Sequence, residues 1–71
     1  MNINDIVTLK VDLPENNLLK GMNGVIVCIF NEINLVYEVE FCTEKGETIA
    51  TLALKSHQIV LCVPSRRPIE F

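Results

Sequence analysis

The chain has 71 residues, 49% of them hydrophobic, with nine acidic against six basic residues and a formal net charge of −3. A chain of this length buries only about 60% of the surface its unfolded form exposes, so one domain with a small core is expected, with little room for an enclosed catalytic cleft. The acidic balance opposes non-specific attraction to phosphate backbones, and the adjacent cations Arg66 and Arg67 lie near the C-terminus, which makes nucleic acid a poor partner and a basic protein a better one.

Cys28, Cys42 and Cys62 are odd in number, form no C-x-x-C pair and have a single histidine, His57, to join them. Neither a disulfide framework nor a metal site is indicated, no cofactor is implied, and the thiols are expected to be small buried hydrophobes in a reducing cytoplasm. The chain contains no run of about 18 apolar residues and no basic-then-apolar N-terminal layout, so a cytoplasmic protein without a membrane span is expected.

In chain order, residues 5–11 alternate, with Val7, Leu9 and Val11 on one face and Thr8 and Lys10 on the other, which predicts a half-buried first strand. Residues 12–17 end it, because Pro14 cannot donate to a ladder and Asx residues favour turns. The apolar pair Leu18 and Leu19 then interrupts the long loop and is expected to fold back as a plug, a binding loop being the alternative. Gly21 and Gly24 mark a tight bend into the apolar run at residues 25–30, a strand with Val25, Val27 and Ile29 on one face and Ile26, Cys28 and Phe30 on the other. With both faces apolar, the outer one needs cover, and a homodimer through Ile26, Cys28 and Phe30 is one way to supply it.

A polar turn at residues 31–34 leads into a strand at 35–41 with Tyr37, Val39 and Phe41 inward and Val36, Glu38 and Glu40 outward. Residues 43–47 form a hairpin loop with Gly46 at the left-handed position. Residues 48–54 follow as a strand, although the Ala and Leu content also permits a helix. A polar corner at 55–58, with His57 exposed, precedes a last strand at 59–63, and residues 64–71 read as a C-terminal tail after a domain at 1–63. Five short strands with one long loop after the first predict an all-β, small five-stranded antiparallel barrel.

The segments Asp5-Ile6-Val7-Thr8-Leu9, Asp12-Leu13-Pro14-Glu15, Gly21, Gly24-Val25-Ile26-Val27, Tyr37-Glu38-Val39-Glu40-Phe41 and Gly46-Glu47-Thr48 together resemble a small bacterial family still called a domain of unknown function. The connection between Phe30 and Leu35 and the stretch after Cys62 depart from its pattern. The resemblance implies an SH3-like barrel found in short bacterial proteins, some of which look like immunity or antitoxin partners of secreted toxins, and implies no catalytic residues. The segment from Gly21 to Val27 is also similar to the glycine-then-strand step of KOW-type modules.

Three functional expectations follow. The first is a non-catalytic immunity protein that occludes a basic toxin, with Glu38, Glu40, Glu44 and Glu47 as partner-binding residues that steer association. Paired carboxylates could instead do acid and base chemistry, but an outward sheet face supplies neither the burial nor the charge coupling that would split their pKa values. The second is a KOW-like nucleic-acid-associated barrel, and the third an accessory or assembly subunit.

Overall fold

The computed structural model describes residues 1–31 and 33–62. The expected tail at 64–71 and the end of the last predicted strand lie outside the described residues. Five strands form one antiparallel sheet: β1 (Ile6–Leu9), β2 (Asn23–Asn31), β3 (Val36–Cys42), β4 (Thr48–Lys55) and β5 (Ile59–Leu61), in the order β4-β3-β2-β1-β5. Among the described residues the only helical pieces are single 3-10 turns, Pro14–Asn16 in the long loop and Ser56–Gln58 at the corner before β5. The helical alternative for 48–54 is overturned: β4 pairs with β3 along its length, and its β-branched Thr48, Ile49 and Thr51 suit that pleated surface.

The core consists of Val7, Leu9, Leu18, Ile26, Tyr37, Val39, Phe41, Leu54 and Ile59. Strict alternation on β3 buries Tyr37, Val39 and Phe41 and leaves Val36, Glu38 and Glu40 on the other face, as their spacing predicts. The first strand is shorter than its alternation suggests. Beyond Leu9 the chain turns away, and Asp12 accepts a 2.7 Å hydrogen bond from the Lys20 amide that draws the two ends of the loop together.

Within that loop a bridge pairs Leu13 with Leu18, and Asn17 adopts the left-handed conformation at φ 60° that lets the backbone return. Only half of the expected plug is realised. Leu18 is fully buried, whereas Leu19, one residue on, points the other way and is 59% exposed.

β2 departs most from simple alternation. Ile26 pairs with Val39 and Cys28 with Glu38, then Ile29 pairs with Tyr37 and Asn31 with Val36, so Val27 and Phe30 are each an extra residue in the ladder. The first shift puts Ile26 inward and Cys28 outward although they are two apart. Ile26 is therefore part of the core and absent from any dimer face with Cys28 and Phe30, which corrects that expectation. None of the thiols is a core residue: the shift in β2 leaves Cys28 half-buried on the outer face, Cys42 is exposed at the end of β3, and Cys62, just after β5, is half-buried.

The glycines also divide. Gly21 has φ 97° and makes the bend, but Gly24 lies inside β2, opposite Phe41, where a Cβ would stand 2.7 Å from Val39 Cγ1 and 2.9 Å from the Phe41 ring. Its role is close packing of the backbone on the core. The β3–β4 hairpin closes as expected through Gly46 at φ 89°, whose amide donates to the Thr43 carbonyl at 2.9 Å.

Candidate functional site

The four carboxylates named from the sequence do not all stand together. Glu38 and Glu40 project from the outer face of β3, Glu38 between Cys28 and Ala53 and Glu40 between Val25 and Thr51 of the neighbouring strands. Two residues along a strand separate them by roughly 7 Å. Glu44 and Glu47 are exposed in the adjoining hairpin.

Thr43 organises that hairpin. Its hydroxyl accepts from the amides of Lys45 and Glu47 at 3.2 and 3.1 Å, and its own amide donates to the Glu47 carbonyl at 2.8 Å. Glu40 is tied to the same end, because its Oε2 accepts a 2.7 Å hydrogen bond from the Thr48 hydroxyl at the start of β4. Glu40, Glu44 and Glu47 thus share the hairpin end of the sheet, and Glu38 sits one step further along the strand.

Beside Glu40 lies a shallow hollow of about 220 Å³ lined by Ile6, Asn23, Gly24, Val25, Glu40 and Cys42. Ile6 and Val25 are opposite one another on β1 and β2 and form its apolar wall. Asn23 is held on the same face by a 2.7 Å hydrogen bond from the Thr8 hydroxyl to its side-chain oxygen. These wall residues were not named as a site from the sequence. Ile6 and Val25 meet only through the β1–β2 register, for which the chain carries no local signal.

Ionised carboxylates only accept hydrogen bonds, and Ile6 and Val25 offer aliphatic surface next to one of them. This combination suits a long cationic side chain, whose apolar stem covers the wall while its head meets Glu40. His57 is exposed in the Ser56–Gln58 turn, apart from this face. Among the described residues no group of His, Cys, Asp and Glu is arranged to hold a metal ion, and no helix is long and apolar enough to cross a membrane.

Sheet order, register and core define an all-β protein built on a single five-stranded antiparallel sheet. Residues 3–61 match the family described as Domain of unknown function (DUF4926), and the chain belongs to that family. Neither the curated proteins nor the solved structures give a match.

Proposed function

We propose that this protein is a non-catalytic, antitoxin-like immunity protein that binds a cognate basic toxin and neutralises it by covering its active or substrate-binding surface. The observation that supports this most is the acidic outer face: Glu38 and Glu40 on β3, continued by Glu44 and Glu47 in the hairpin and bordered by the Ile6 and Val25 wall. Toxins that act on nucleic acids must attract phosphates, so a carboxylate face offers them a competing surface and speeds the encounter. We also read the sheet as a small SH3-like barrel, a reading supported by the order β4-β3-β2-β1-β5, the doubly bulged β2 and the 3-10 turn feeding β5.

The test begins with a tagged pull-down from the native host and mass spectrometry of what is retained. The expected product is a basic toxin domain whose activity the protein suppresses. The double variant E38K/E40K is then expected to lower the association rate with that toxin by about tenfold or more at low salt while leaving the melting temperature nearly unchanged. Recovery of ribosomal or transcription components instead, or an unaltered association rate, would overturn the reading. An assembly-subunit role is the second reading. It is favoured by the apolar residues near the β2–β3 turn, Phe30, Ile33 and Leu35, of which Ile33 is 90% exposed.

A further inference from the structure

β4 forms one edge of the sheet, and among the described residues its sole strand neighbour is β3. Natural edges are commonly blunted by short length, proline, bulges or charges. Here the edge runs for eight residues, Thr-Ile-Ala-Thr-Leu-Ala-Leu-Lys, with no proline or glycine and a charge only at its last position. Its register shift falls at the start, where Phe41 pairs with Ala50 and Cys42 with Thr48, so residues 50–55 present a regular row of backbone donors and acceptors. On the core side of this strand Ala50 and Leu52 remain half-exposed although they pack against the core, which leaves the apolar layer open along this edge.

We propose that a second copy of this chain pairs along this edge, β4 against β4 in antiparallel fashion, joining two five-stranded sheets into one of ten strands. A twofold axis normal to the sheet keeps every residue on its own face, so the axis must pass through a residue and not between two. Thr51 is the centre that fits. It sets Thr51 opposite its counterpart and Leu52 opposite Ala50, large against small over the open core layer. Both pairs fall within the regular stretch that follows the register shift at the start of β4. Threonine pairs across strands are favourable. The pairing consumes the strand edge and leaves the carboxylate face open, so it stands independently of the proposed function.

Sedimentation equilibrium of the full chain, from about 1 µM to about 1 mM, tests this across the range of weak to firm association. The expected mass approaches twice the 8.0 kDa monomer as concentration rises. T51K places two ammonium groups opposite each other at an exposed site, and is expected to raise the dissociation constant about tenfold or more while the far-UV spectrum is retained. A wild-type mass that stays monomeric throughout, or a T51K variant that associates as tightly as wild type, would overturn the proposal.

Discussion

Gly24 shows how little spare volume the core has. A methyl group there would come within 2.7 Å of Val39 and 2.9 Å of the Phe41 ring, and both of those side chains are fully buried. Overpacking of this kind costs about 1–3 kcal/mol, and each kcal/mol lowers the melting temperature of a domain this small by about 4–8 °C. Gly24→Ala is therefore expected to melt several degrees below wild type in a thermal scan followed by circular dichroism. From the sequence Gly24 reads as a partner of Gly21 in a bend, because close approach to a residue on another strand leaves no local trace. Leu35 is similarly hidden: it holds φ 53° at the entry to β3, a conformation that its side chain alone would disfavour. Alternation was enough for Tyr37, Val39 and Phe41, where face is decided by parity alone.

At the scale of the element, the loop between β1 and β2 behaves as part of the core through a single residue. Leu18→Ala is expected to cost about 2–5 kcal/mol, in line with truncation at fully buried sites. Leu19→Ala is expected to change stability by no more than about 0.5 kcal/mol, because that side chain faces solvent. Urea titrations of the two variants check the contrast, and equal losses would mean that both leucines are packed. The adjacent pair is apolar in both members, so the chain itself does not say which points inward; the bridge between Leu13 and Leu18 and the left-handed Asn17 decide it. β2 carries the same lesson. Its existence follows from six consecutive strand-forming residues, but its faces depend on the extra residues Val27 and Phe30, and bulges are set by the partner strand. Glu38 and Glu40 could be placed outward by parity within one strand, whereas the Ile6 and Val25 wall beside them depends on the register between β1 and β2.

At the scale of the whole molecule, a chain of 71 residues commands a total stability of about 4–10 kcal/mol. Among the described residues Phe41 is the largest fully buried side chain, and it packs against the strand that carries Gly24. Replacing a buried phenylalanine with alanine costs about 3–5 kcal/mol, a large share of that total. Phe41→Ala is thus expected to lose most amide dispersion in a proton–nitrogen correlation spectrum at physiological temperature; a well-dispersed spectrum would mean that the core tolerates the cavity. The number of strands, their antiparallel sense and the corner before β5 were all legible, since each rests on local pattern and turn residues. The edge left open at β4 was not, because strand order is a property of distant pairing.

The placement of β1 between β2 and β5 has a temporal consequence. Leu9 pairs with Ile59 and Val7 with Leu61, so the first strand of this sheet in chain order is completed by its fifth. The hairpins β2–β3 and β3–β4 join neighbours in the chain and close small loops, whereas joining β1 to β5 closes a loop spanning nearly the whole domain. A nascent chain leaving the ribosome therefore carries β1 with one side unsatisfied until residue 61 emerges, and its final sheet forms only after release of that segment from the exit tunnel.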